Sequence, residues 1–213
     1  ILISHNNKNI LIDSGPDLRN QLLKANCKYI DAVLYTHQHA DHIHGINDLR
    51  ALSLNNNKKI PAWGSEETIN YLLSNFNYIF KASKNYEPIM KTNIINEQFK
   101  IDNINLQSFQ HNHGNIDCTT FIIDNFAYTT DIKKFYDDSI DKLKGIKKWI
   151  VGCLRMDEHP SHASFYQIID YIKYIKPEKT YLTHMTALLD YETLKKNCPN
   201  NVEPAYDNLL FEV

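Results

Sequence analysis

The sequence predicts an α/β fold of four layers, αββα, in which two sheets pack face to face with helices on their outer sides. Three observations predict it. Strand-like runs occur in both halves of the chain, and they are interleaved with runs of helical period. The length, 213 residues, suits one sizeable domain spanning 1–213. The apolar share, 43%, is that of a soluble globular chain.

The elements follow in order. ILISHNNKNILIDSG reads as two strands around the polar turn NNKN, closed by Gly15 and Pro16. Pro16 suits a first helical turn, and PDLRNQLLKAN continues with helical spacing. DAVLYTH is a short apolar strand running into a His-rich loop. GINDLRALSLN reads as helix, KIPAWG as strand, and SEETINYLLSNF as a helix with a Ser cap. The segment 55–86 fits the pattern least well and is a candidate lid or insertion. From Asn93 to Asp131 the period changes to two. NIINEQFKI, INLQSFQHN, TTFIID and FAYTTD read as successive strands, with Asp124 and Asn125 at a hairpin turn. A helix is expected near Lys133 to Leu143, then strand KKWIVGCLR, helix SFYQIIDYIKYI, strand KTYLTHM, helix DYETLKKN and a last strand NLLFEV.

Composition narrows the function. The formal net charge of −2 gives no basic field for bulk nucleic-acid binding, although a local positive site still suits a small anionic substrate. Cys27, Cys118, Cys153 and Cys198 form no C-x-x-C pair, which disfavours a structural zinc knuckle and fits reduced thiols in a cytoplasmic protein. No apolar run approaches the ~20 residues that cross a membrane, and no signal peptide is visible. The abrupt start, ILISH, suggests an upstream strand and loop outside this sequence.

The strongest chemical signal is THQHADHIHG. Four metal-ligand types, His37, His39, Asp41 and His42, fall within six positions. Positions two apart in extended chain point the same way, so His37 and His39 can reach one ion. The turn through Ala40 lets Asp41 and His42 face a second. Imidazole and carboxylate are ordinary zinc ligands. An exposed polar loop with chance histidines is the alternative, and this compact pattern argues against it. His44 falls outside the pattern and reads as a loop residue or one that supports a metal ligand.

H-x-H-x-D-H after an apolar strand resembles the metallo-β-lactamase superfamily, and other landmarks resemble it in order along nearly the whole chain. Its fold is the αββα sandwich, here lacking the usual first strand. Asp13, ending LIDSG, resembles the acid that orients a metal-bound His. QHNHG resembles the single-His motif, implying His113, with His111 as competitor. YTTD implies a bridging carboxylate at Asp131, which otherwise caps a following helix. YLTHM implies His184, which otherwise is a buried structural His. The resemblance thus implies His37, His39, His113 and Asp131 for one ion, and Asp41, His42, His184 and Asp131 for the other. It implies two divalent cations, zinc first, with manganese or iron as alternatives.

His162 in HPSHAS precedes His184 by 22 residues. This is similar to the phosphodiesterase branch of the superfamily, including tRNase Z and PhnP-like enzymes, where such a His contacts the scissile phosphate or assists the leaving group. A helix cap is its alternative reading. Arg155 is a candidate substrate contact or a surface ion-pair partner, and Arg50 a structural pairing residue. His159 reads as loop. Cys153 is not placed like the ligand cysteine of true β-lactamases and reads as core. The expectation is a metal-dependent hydrolase, Asp41 and His162 being its catalytic groups, acting on a small cyclic phosphodiester. A thioester, lactone or amide hydrolase, a tRNA 3′-end nuclease and a non-catalytic metal carrier are the alternatives. No Gly-rich basic arm for tRNA is visible. A homodimer is the family-based expectation.

Overall fold

The computed structural model describes residues 1–212. The chain divides into two compact units, Ile1–Asn96 and a second beginning at Glu97.

The first unit holds a five-stranded sheet in the order β1-β2-β3-β4-β5. β1 (Leu2–His5) and β2 (Lys8–Ile12) form its antiparallel hairpin. Asn6 and Asn7 both take positive φ, 49° and 58°, which a two-residue hairpin turn demands and asparagine tolerates. β3 (Ala32–Leu34), β4 (Ile60–Gly64) and β5 (Met90–Ile94) add in parallel. β3 is buried throughout, as expected of a central parallel strand. The helices are α1 (Leu18–Lys24), α2 (Ala40–Ile43), α3 (Leu49–Asn55), α4 (Glu66–Asn75) and α5 (Asn77–Phe80). The segment 55–86 contributes β4 to the sheet, between β3 and β5, and α4 brings Ile69 and Leu72 into the core. The Ser65 hydroxyl caps α4 by accepting from the Thr68 amide.

The second unit holds seven strands in the order β12-β11-β10-β9-β8-β7-β6. β6 (Gln98–Ile101), β7 (Ile104–His113), β8 (Ile116–Ile123) and β9 (Phe126–Thr129) form an antiparallel meander. Asp124 at φ 50° starts the expected turn between the last two. β10 (Lys148–Gly152), β11 (Lys179–Thr183) and β12 (Val202–Pro204) continue in parallel. α6 (Phe165–Ile175) buries Phe165, Ile168, Ile172 and Ile175, and α7 (Tyr191–Asn197) buries Leu194. Parallel strands carry their C-terminal ends to one edge of a sheet, where loops from several strands can meet.

Three elements differ from expectation. NIINEQFKI is not one strand: Asn93 and Ile94 end β5 in the five-stranded sheet, and Gln98–Ile101 form β6 in the seven-stranded one. Residues 133–143 contain a 3₁₀ helix, Asp137–Leu143, and no α-helix. Lys133 N donates to Asn112 O and Asn112 N to Lys134 O, so this backbone is committed to the end of β7. The last strand is β12, not NLLFEV. Asn208 sits at φ 66°, and Phe211 stacks on Tyr181 with ring centroids 4.3 Å apart. Val213 lies outside the described residues. Among those described, no helix is long and apolar enough to cross a membrane.

Candidate metal centre

In the first unit, the loop after β3 carries His37 and His39. Its one-turn helix α2 presents Asp41 and His42. The His37 ring lies 4.7 Å from His39 and 4.3 Å from His42, centroid to centroid. Asp13, at φ 61° just beyond β2, organises the cluster. Its Oδ1 accepts from the Thr36 amide at 2.8 Å, and its Oδ2 accepts from the Thr36 hydroxyl at 2.8 Å and from His42 Nδ1 at 2.7 Å. Thr36 thereby gives its only hydroxyl proton to Asp13. Its 3.0 Å contact with His37 Nδ1 must then be donated by the imidazole. One carboxylate therefore sets two tautomers, His42 directly and His37 through Thr36, and in both it makes Nε2 the nitrogen whose lone pair could take a metal.

Close backbone approach holds this loop. Ser14 N donates to His42 O and Gly45 N to Ser14 O, each at 2.7 Å. A Cβ on Gly45 would lie 2.0 Å from Gly15 O, and one on Gly15 2.6 Å from Asp41 O, so both positions require glycine. His44 stands outside the cluster, its ring 5.9 Å from Phe76. The Arg50 guanidinium stacks on Tyr86 at 3.8 Å, a structural pairing.

In the second unit, the candidates lie at or just beyond separate strand ends. His113 is the last residue of β7, Asp131 lies two residues past β9, and His184 directly follows β11. His162 sits in the loop between β10 and α6. His111, the competitor of His113, is a core residue. Its Nε2 donates to Thr130 O at 2.8 Å, and its Nδ1 accepts from the Thr120 hydroxyl at 3.1 Å. Burial pushes its imidazole down to about 4, which keeps it neutral. His113 instead donates from Nδ1 to Ser161 O at 2.9 Å, which makes Nε2 the nitrogen whose lone pair could take a metal.

Asp131 is 2% exposed. Its Oδ1 lies 3.2 Å from His184 Nε2 and 3.5 Å from His162 Nδ1. In the first unit, His42 Nε2 lies 3.3 Å from Asp41 Oδ2. Charge-assisted hydrogen bonds are shorter, about 2.7–2.9 Å. Two donors on one tetrahedral ion at ~2.0–2.1 Å lie roughly 3.3–3.4 Å apart. These separations fit pairs of donors to a divalent cation, and neutral imidazoles with carboxylates are the donor set that zinc, manganese or iron accepts. Asp131 and His184 sit at φ 49° and 62°, as Asp13 does at 61°; backbone held in the left-handed region is typical of functional sites.

The loop bearing His162 is anchored through its backbone. Lys133 Nζ donates to His159 O and Ala163 N to Ile132 O, each at 2.6 Å. Arg155 reaches the Glu158 carbonyl, so it shapes this loop and pairs with no carboxylate there. Ser164, not His162, caps α6. Burial pushes the His162 imidazole down to about 4, against the pull of Asp131. Cys153 is a core residue whose thiol burial pushes up to about 12, and none of the four cysteines forms a disulfide. Sequence reasoning did not find Thr36, Lys133 or Ser161. Ser161 acts through its carbonyl, which every residue possesses, so no residue-type signal marks it.

A family model described as "Beta-lactamase superfamily domain" matches residues 8–185. A Porphyromonas gingivalis (strain ATCC BAA-308 / W83) protein named octanoyltransferase is 29% identical over 216 residues, covering 98% of this chain and 43% of that protein. The chain thus spans less than half the length of that curated relative. A solved diphosphatase of the PhnP family is 28% identical with a TM-score of 0.90, covering 98% of this chain and 80% of its own. The short form of human tRNase Z, 15% identical with a TM-score of 0.75 over 99% of this chain and 90% of its own, shares the fold. With a mixed α/β fold of two sheets, clustered His and Asp donors and a family match across most of its length, this chain belongs to the β-lactamase superfamily domain family, whose fold supports metal-dependent hydrolysis.

Proposed function

We propose that this chain is a two-metal phosphodiesterase acting on small phosphodiesters, cyclic nucleotides or cyclic sugar phosphates being the substrate class. In this reading the two clusters serve one pair of ions. By the family resemblance, His37, His39, His113 and Asp131 would hold the first, and Asp41, His42, His184 and Asp131 the second. The observation that carries it is Asp131, a buried carboxylate whose distances to His162 and His184 fit shared cations better than hydrogen bonds. The PhnP-family diphosphatase, similar over 98% of this chain, supports phosphoryl chemistry.

Two such cations, when bound, supply Lewis acidity and a nucleophile at neutral pH. The chain's own residues do the rest. Asp13 keeps His37 and His42 in the ligating tautomer, and the Ser161 carbonyl does so for His113. Anionic substrate is drawn to a site whose carboxylates only partly offset two divalent charges. His162, half-buried beside Asp131 and neutral at its lowered pKa, sits where it can donate a hydrogen bond to a substrate phosphate oxygen. Segment 55–86 contributes β4 to the sheet and Ile69, Leu72 and Ile79 to the core.

Hydrolysis of bis(p-nitrophenyl) phosphate with zinc, manganese, iron or cobalt tests the proposal. Activity is expected in the wild type and lost in folded His37→Ala and Asp41→Ala variants. Absence of activity with all four metals overturns it. A second reading, hydrolysis of an acyl ester or thioester, draws on the relative named octanoyltransferase. His162 separates the two readings. Phosphodiester chemistry needs it, whereas a His162→Ala variant that turns over an acyl substrate at the wild-type rate favours the carbonyl reaction.

A further inference from the structure

The resemblance gives His162 a role toward substrate alone, and its place in the fold supports more. Its Nδ1 faces Asp131 Oδ1 at 3.5 Å, close to the spacing of two donors on one cation. Its ring lies 4.7 Å from His113 and 5.7 Å from His184, centroid to centroid. His113, Asp131 and His162 offer donor atoms all within 4.8 Å of one another. The loop is not loosely placed. It is fastened to the segments that carry the other two donors: to His113 through the Ser161 carbonyl, and to Ile132 and Lys133 through Ala163 N and His159 O. Gly114, at φ 75°, lets Ser161 close over the tip of β7, since a Cβ there would meet Ser161 Cβ at 2.8 Å. His162 has no competing duty as a helix cap, which belongs to Ser164.

We propose that His162 is itself a metal donor, binding through Nδ1 the cation that His113 and Asp131 hold. This rests on the two-metal reading and adds to it a protein donor that a substrate phosphate oxygen must displace. The same imidazole then stands beside the bound phosphate, which unites its two roles.

Cobalt(II) substitution reads this directly. Wild type, His162→Ala, His162→Gln and the control His159→Ala are loaded with Co(II), and their visible absorption and metal affinities are compared, with circular dichroism confirming the fold. Loss of a direct donor should weaken one of the two ions by at least about tenfold, as loss of a mere supporting partner already can. Its absorption band should also shift, while His159→Ala matches wild type. Inorganic phosphate added to wild type should move the spectrum toward that of His162→Ala. Unchanged spectra and affinities in a folded His162 variant, with wild type hydrolysing bis(p-nitrophenyl) phosphate, overturn this inference and leave the two-metal reading standing. A wild type that takes up no cobalt overturns both.

Discussion

The two clusters are built on opposite plans. In the first unit, all four candidate ligands come from one stretch, His37 to His42, and a side-chain carboxylate, Asp13, fixes two of them. In the second, His113, Asp131, His162 and His184 come from four separate segments of the chain, and the orienting partner of His113 is a backbone carbonyl. A local cluster depends on its sequence spacing and on the glycines that let its loop close. A dispersed cluster depends on the register of a whole sheet. The orientation of His37 and His42 is exposed to a change of one carboxylate, whereas that of His113 rests on a carbonyl that side-chain substitution leaves in place.

The largest expected effect breaks the symmetry of the two. Asp131→Ala removes the carboxylate common to both proposed ligand sets, and hydrolysis of bis(p-nitrophenyl) phosphate should fall at least about 1,000-fold. Metal analysis of the folded variant should show loss of one or both ions. A variant with two ions and near-wild-type turnover would remove Asp131 from the site.

Next comes the carboxylate support. Asp13→Asn keeps the size but loses the charge and the acceptor that His42 Nδ1 uses, so metal affinity should fall about 10–100-fold. Competition with a chromophoric chelator measures it. The glycines should separate support from chemistry. Gly45→Ala, forced against Gly15 O, should lower stability by about 1–3 kcal/mol in thermal melts of metal-free protein. Gly114→Ala should cost about as much, because φ 75° adds strain to its contact with Ser161. Smallest is Ser161→Ala. The carbonyl that accepts from His113 survives the change, so metal affinity should stay within about twofold of wild type. A drop as large as that of Asp13→Asn would show that the Ser161 hydroxyl, not its carbonyl, supports the second cluster.

The same contrast governs what could be read from the sequence. His37, His39, Asp41 and His42 are legible by spacing alone, because a strand end and one helical turn translate spacing into direction. Asp131 and His184 have no such local signature. Resemblance singled them out, and their left-handed φ values are invisible in residue type. His111 and His113 share a residue type and a strand face; resemblance of QHNHG favoured His113, and in the structure the Thr120 and Thr130 partners of His111 and the Ser161 partner of His113 separate them. The positions of the strands along the chain were legible from periodicity in most places. It misled at NLLFEV, where an apolar run packs by stacking Phe211 on Tyr181 while the short Val202–Pro204 takes the sheet edge. It misled again near Lys133, where helical spacing lost to backbone pairing with Asn112.

Whether the local and the dispersed cluster serve one pair of cations is decided most directly by anomalous diffraction from crystals of the metal-loaded protein. The expected map has two peaks ~3.5–4 Å apart, both bonded to Asp131, one reached by His39 and His113 and the other by His42 and His184. Peaks confined to one cluster, or two ions without Asp131 between them, would contradict the account.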